Sequence, residues 1–158
     1  MKIVVIGGGW AGCAAAVSAA KQGADVVLLE RSDMLLGTGL VGGIFGNNER
    51  FTAAEEMIAM GGGEMFAAMD RCALHTGVEF PGHSHASLYN VAAIEPAVRR
   101  VLAAAGVRML HRVRITDVER DGSRIVAVST HKSEGARRFP ADVFIETTGT
   151  AGVPNVCN

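Results

Sequence analysis

The sequence has no excess of charge of either sign: 15 Lys and Arg face 16 Asp and Glu, for a net charge of −1. A chain this close to neutral is not built to hold a nucleic acid or another polyanion by electrostatics. Cysteine is scarce as well. Cys13, Cys72 and Cys157 show no metal-ligand spacing, a pattern of free thiols that fits a reducing compartment and leads us to expect a cytoplasmic protein. Cys13 reads as a small core residue of a helix. With 4 Pro against 20 Gly and 49% hydrophobic residues, the composition excludes a disordered chain. An uninterrupted membrane helix is also missing. Residues 3–20 carry no charge, but three consecutive glycines, Gly7 to Gly9, cut the stretch in two, whereas a span needs about 20 apolar residues in one helix. The apolar run after Lys2 is too short for a signal peptide. The 158 residues fit one domain, large enough to bury about 68–70% of the surface its unfolded chain exposes.

Those glycines sit in the most informative stretch of the chain. Ile3-Val4-Val5-Ile6 is a short β-branched run and reads as a buried strand. Gly7, Gly9 and Gly12 follow as G-x-G-x-x-G, and Ala-rich residues 11–22 read as a helix that Gly23 ends in a left-handed cap. Asp25-Val26-Val27-Leu28-Leu29 is a second apolar strand, closed by Glu30. Each residue type has a physical task in binding a dinucleotide. Gly7 permits a tight turn, Gly9 lets a pyrophosphate approach the backbone, and Gly12 lets helix and strand pack closely. Free N–H groups and the dipole at the helix start favour phosphate there. Glu30 lies 18 residues past Gly12, where a carboxylate accepts hydrogen bonds from ribose hydroxyls and disfavours a 2′-phosphate.

Beyond this unit, residues 31–48 are rich in glycine. They read as a surface loop or as a backbone wrap around a planar ligand; Leu40, Val41, Ile44 and Phe45 favour the wrap. Thr52-Ala53-Ala54-Glu55 forms a capping box that predicts a helix to about Met60, broken at Gly61-Gly62-Gly63. A second helix is predicted over residues 64–75, with Met65, Met69 and Cys72 as a core stripe. His83 and His85, with Tyr89 nearby, form the most notable polar cluster; in a strand the two histidines would share a face. His75 is the only other histidine close by, too few ligands for a metal site. The cluster reads either as an active-site lining, with His as proton donor or acceptor, or as loop histidines bonded to backbone. Residues 91–105 read as a helix ending at Gly106, with its start left open because Pro96 is tolerated only in a first turn. Residues 107–110 read as a strand. Residues 112–120, 124–130 and 137–139 alternate apolar and polar around turns at Asp121-Gly122-Ser123 and 132–136, the pattern of an antiparallel meander. Residues 142–146 then read as a buried parallel strand. The expected architecture is α/β: a Rossmann-like parallel sheet with helices, a three-stranded antiparallel β-meander at about 112–139, and a helical or loop insertion at about 40–90.

On GGGWAG at 7–12, ER at 30–31, LGTG at 36–39, the meander, and ETTGTAG at 146–152, the chain resembles the amino-terminal half of FAD-dependent oxidoreductases of the glutathione-reductase-like fold. It looks closest to the group that includes succinate dehydrogenase-like members. The resemblance covers essentially all of the chain and implies a single FAD-binding domain over residues 1–158, with FAD as cofactor. It implies that Gly7, Gly9, Trp10, Ala11 and Gly12 hold the pyrophosphate, Glu30 the adenosine ribose, and Arg31 the adenine edge. Gly37 and Thr38 would sit by the pyrophosphate and ribityl chain, the backbone of Arg114 and Ile115 by the adenine, and Thr148 and Gly149 by the ADP moiety. Hydride transfer between a small-molecule substrate and the flavin is the implied activity, with His83, His85 and Tyr89 as candidates for the reacting face. Family members close the flavin site with a later Gly-Asp segment, a dipeptide this sequence does not contain. The expectation is therefore a heteromer, in which a second polypeptide carries the rest of the fold and covers a sheet edge left open. An NAD-binding Rossmann domain and a non-catalytic dinucleotide-binding or assembly module are the alternatives.

Overall fold

The computed structural model describes residues 1–43, 46–48, 54–80, 83–131 and 135–150. In chain order its elements are β1 (Lys2–Ile6), α1 (Trp10–Lys21), β2 (Asp25–Leu29), a one-turn 3₁₀ helix (Gly37–Gly39), β3 (Gly46–Asn48), α2 (Ala54–Met57), a wide π-type turn (Ile58–Gly62), α3 (Gly63–Arg71), β4 (Ala73–Phe80), β5 (His83–Tyr89), α4 (Val91–Ala104), β6 (Arg108–Leu110), β7 (Arg114–Asp121), β8 (Arg124–His131), β9 (Arg137–Pro140) and β10 (Val143–Glu146).

A parallel sheet in the order β10-β1-β2-β6 forms the centre. Ile3 pairs with Val26 on one side and Val143 on the other, and the register continues to Ile6 opposite Leu29 and Glu146. Both faces of this sheet are covered, which is why its inner strands read as unbroken apolar runs. Ile3, Val5, Val26 and Leu28 pack with Cys13, Ala16 and Val17 of α1, Met65 and Met69 of α3, and Ile94, Val98 and Leu102 of α4. Val4, Ile6, Val27 and Leu29 face the other way, against Val113, Val128 and Phe139. That second layer is the meander β7-β8-β9, antiparallel as its alternation predicts.

The segment between β2 and α4 departs from expectation. In place of a wholly helical or loop insertion it contains a small antiparallel sheet in the order β3-β5-β4. The helix expected over 64–75 ends at Arg71, and Cys72 is its cap. Residues 73–75 leave it to pair with β5, Ala73 opposite Tyr89 and His75 opposite Leu88. A local pattern cannot register that partner. The break at the triple glycine is present: Gly61 has φ +99, outside helical space, and separates α2 from α3. The capping residues Thr52 and Ala53 lie outside the described residues.

Two further expectations need correction. Pro96 is not in the first turn of its helix. Helix α4 begins at Val91, the first residue of the range read from sequence, where the Asn90 side chain accepts from Ala92 N at 2.9 Å. The proline falls in the second turn on the exposed face. The carbonyl it deprives of a donor belongs to Ala92, which is exposed to water as well. Strand β10 is parallel to β1 as expected but is not fully buried: Val143 is 38% exposed, since among the described residues β10 has a neighbour on one side only. No helix among the described residues is long and apolar enough to cross a membrane.

Candidate cofactor site

The site is built where β1 turns into α1. Gly7 leaves the strand at φ +102, a conformation side chains avoid, and a Cβ there would stand 2.9 Å from the Thr147 carbonyl. Gly12 has even less room, because a Cβ would overlap the Gly7 carbonyl oxygen. Thr147 locks this crossing from β10. Its hydroxyl lies 2.9 Å from Ile6 O and 2.8 Å from Gly7 O, so one proton is shared between two carbonyls. Gly9 differs from both: nothing lies within 4 Å of where its Cβ would be. The space it leaves open faces the start of α1.

That helix start has no side-chain cap and no acid in its first turn. The first donor satisfied inside the helix is Cys13 N, which reaches Gly9 O at 2.9 Å. The N–H groups of Gly9, Trp10, Ala11 and Gly12 have no acceptor among the described residues. Four aligned donors over an open glycine form a concentrated positive potential for a multiply charged anion.

Glu30 closes one side. It is 8% exposed at the end of β2. Its Oε2 accepts from Gly8 N at 2.6 Å, and its Oε1 accepts from Ser32 N at 2.7 Å and from Ser32 Oγ at 2.9 Å. An ionised carboxylate offers about four lone-pair sites. One therefore remains for a further donor while the others hold the glycine loop and the Ser32 turn in place.

The segment after Glu30 is not a free loop. Leu36 takes φ +71, rare for a branched side chain, and donates its N–H to Gly8 O at 2.7 Å. Leu35 N donates to Glu95 Oε1 at 3.2 Å. At the 37–39 turn, the Tyr89 hydroxyl donates to Gly39 O at 2.5 Å and accepts from Trp10 Nε1 at 3.3 Å. Burial pushes the Tyr89 phenol above its ordinary pKa, which keeps it a donor. The structure thus sets the 37–39 turn, with Gly37 and Thr38, against the first turn of α1, which Trp10, Ala11 and Gly12 form beside Gly7, Gly9 and Glu30. Arg31 is exposed beside Glu30. The β6–β7 connection crosses the end of β2: Glu30 N donates to Leu110 O, and Val113 N to Glu30 O. Arg114 and Ile115 begin β7 just beyond it, Arg114 exposed and Ile115 against the meander core. Thr148 and Gly149 follow β10; Thr148 N donates to Glu146 Oε1 at 2.8 Å, and Gly149 has φ +69. His83 and His85 are backbone positions of β5 whose side chains lie outside the described ones. Tyr89 ends the same strand, 2% exposed.

Several residues of the site carry no motif that would single them out. Glu95 is 7% exposed inside α4. It pairs with Arg99, whose Nη1 reaches His111 Nε2 at 2.8 Å. The Glu95–Arg99 spacing of one helical turn is the only sequence signal, and it equally fits a surface pair. Cys13, a step behind the glycine loop, is unreactive: burial, then the Glu30 and Glu95 charges, push its thiol up to about 12.

Comparisons with known proteins agree with this geometry. A family model described as FAD dependent oxidoreductase matches residues 2–156. Among solved structures, the chain resembles the THI4 protein of Thermovibrio ammonificans at 16% identity and TM-score 0.69, covering 99% of this chain and 60% of that one. A p-nitrophenol 4-monooxygenase from Pseudomonas putida DLL-E4 aligns at 16% identity and TM-score 0.67, over 94% of this chain and 40% of that one. A geranylgeranyl bacteriochlorophyll reductase-like protein from Thermoplasma acidophilum aligns at 16% identity and TM-score 0.68, over 92% and 38%. Identities this low establish a shared fold. The chain spans 60% or less of the length of each of these proteins.

Proposed function

The chain belongs to the FAD dependent oxidoreductase family, with FAD as its cofactor; from that premise we propose that it is the FAD-binding half of a flavin-dependent oxidoreductase of the glutathione-reductase-like fold, moving hydride between a small-molecule substrate and the flavin. One observation carries the reading: four open N–H donors at the start of α1, over a Gly9 that leaves the approach clear, with the Glu30 carboxylate at the adjoining strand end. The N–H groups of Trp10, Ala11 and Gly12 take the pyrophosphate, with Gly7 and Gly9 giving backbone access. The remaining acceptor site of Glu30 takes an adenosine ribose hydroxyl. Arg31, Arg114 and Ile115 border the adenine, Gly37 and Thr38 the pyrophosphate and ribityl chain, and Thr148 and Gly149 the ADP moiety. When bound, the flavin supplies two-electron chemistry, and the chain's own residues bind, orient and shield it. His83 and His85 are proposed to line the reacting face. The burial of Tyr89 and its hydrogen bonds to Trp10 and Gly39 favour a supporting role over contact with substrate.

A second polypeptide is proposed to complete the fold, adding a strand beside β10. Its one-sided pairing and the exposed Val143 support this. The test is a visible absorption spectrum of the protein purified from its native source, with the chains counted by mass. A flavin spectrum in a complex with a second chain is the expected result. A lone chain with flavin removes the partner. A chain that binds NAD or no nucleotide in place of flavin removes the redox reading, and leaves an NAD-binding domain or a non-catalytic module.

A further inference from the structure

We infer that Tyr89 is a positioning residue for FAD: it pins the 37–39 turn to the first turn of α1, and so sets how tightly the chain holds the cofactor. The inference rests on the reading of the α1 helix start as the FAD site and concerns a contact that reading does not use. The chain contains one tryptophan and one tyrosine. They lie 79 positions apart in sequence and meet in the fold, ring centroids 5.8 Å apart and planes at 65°. Edge-to-face packing of this kind fixes relative orientation as well as distance.

The hydroxyl does the joining. It accepts from the Trp10 indole N–H and donates its proton to the Gly39 carbonyl. Trp10 opens α1, next to the four free donors, and Gly39 closes the turn that holds Gly37 and Thr38. One oxygen therefore joins the two segments that are proposed to border the dinucleotide. The fit is close. A Cβ at Gly39 would overlap Trp10 Nε1 and stand 3.1 Å from the tyrosine oxygen. The hydroxyl proton is committed to Gly39, so Tyr89 acts by fixing the 37–39 turn.

Replacing Tyr89 by Phe keeps the ring and its burial but leaves a buried carbonyl and an indole N–H unpaired. The turn then relieves that cost by moving, and ordering it again falls to the binding step, which weakens affinity. Trp10 is the only tryptophan, so the emission of the chain reports the surroundings of this one side chain.

The experiment titrates the full chain with FAD, following Trp10 emission and flavin fluorescence, for the wild type, Tyr89→Phe, Trp10→Phe (flavin fluorescence only) and the core variant Leu102→Ala, with apo melting temperatures alongside. Tyr89→Phe and Trp10→Phe should each bind FAD about tenfold more weakly. In Tyr89→Phe the apo emission should shift red as water reaches the indole. Leu102→Ala, which removes buried apolar volume from α4 but no hydrogen bond of the 37–39 turn, should melt lower and keep wild-type affinity. Wild-type affinity in Tyr89→Phe overturns the inference. So does an equal loss of affinity in Leu102→Ala, which would mark general loosening. A wild type that takes up no FAD overturns the site reading itself, and the inference with it.

Discussion

The β1–α1–β2 unit and the segment from α2 to β5 are close in size and opposite in how they are specified. In the first, every local signal agrees with the final packing. The apolar strands are buried, the helix runs between its glycines, and Gly23 caps it with φ +82. In the second, helical signals stop short, and two strands form only because each finds the other. The register between β4 and β5 shifts at three places, so the pairing is irregular even where it exists. Consistency between local and global preference makes a segment self-specifying. Here the self-specified unit supplies the helix start proposed to meet the pyrophosphate, and the context-dependent segment supplies Tyr89, which holds the 37–39 turn against it.

This contrast can be broken most sharply at Gly12. A Cβ there meets backbone that cannot move without separating β1 from α1. Gly12→Ala should cost about 3 kcal/mol, read as a lowered denaturant midpoint. Gly9→Ala, three residues away, should change apo stability by less than about 0.5 kcal/mol, because its Cβ meets nothing. It should still abolish measurable FAD uptake. A stable Gly12→Ala would mean that the crossing is looser than its geometry shows.

In the context-dependent segment, Gly61→Ala meets only the flexible Ser18 hydroxyl at 3.2 Å but must hold φ +99. A loss of about 1 kcal/mol is expected by chemical denaturation, well below that at Gly12. A similar loss at both positions would erase the distinction between the two regions. Glu95→Gln probes the link between the site and α4. It weakens the pairing with Arg99 and the acceptor for Leu35 N, and should cost about 1–3 kcal/mol.

The smallest effect expected is one of pH. Burial first, and the Arg99 charge second, hold His111 below its ordinary value of 6.5. The folded chain thus resists a proton that the unfolded chain accepts, and stability present above that value declines as the pH falls below it. The gap in melting temperature between wild type and His111→Gln should be constant above pH 6.5 and narrow below it. A gap that widens on acidification would reverse the assigned direction.

Much of the site was legible because it is short-ranged. Gly7, Gly12 and Glu30 follow from sterics and strand length within 30 residues, and the meander from simple alternation. Of the apolar residues in the Gly-rich stretch, Leu40 is buried and Val41 is 71% exposed, Ile44 and Phe45 lie outside the described residues, and no local signal showed how the stretch is held. The left-handed Leu36 breaks a local rule and stands only because Gly8, Glu95 and Tyr89 fix the residues around it. His83 and His85 stood out in sequence as a polar pair. Glu95 and Ser32, which the structure places at the site, did not, because a buried acid and an exposed one look alike in sequence.

By itself the sequence determined the parallel βαβ unit, the open helix start, the acid at the strand end and the antiparallel meander, since each depends on backbone sterics and on periodicities of two or 3.6 residues. Only the tertiary structure decided that residues 73–80 and 83–89 are strands, that Pro96 lies in the second turn of a helix, and that Tyr89 joins Trp10 to Gly39. The strands depend on an irregular pairing of each with the other, the Tyr89 link on partners 50 and 79 positions away, and the proline on where water lies once the core has closed.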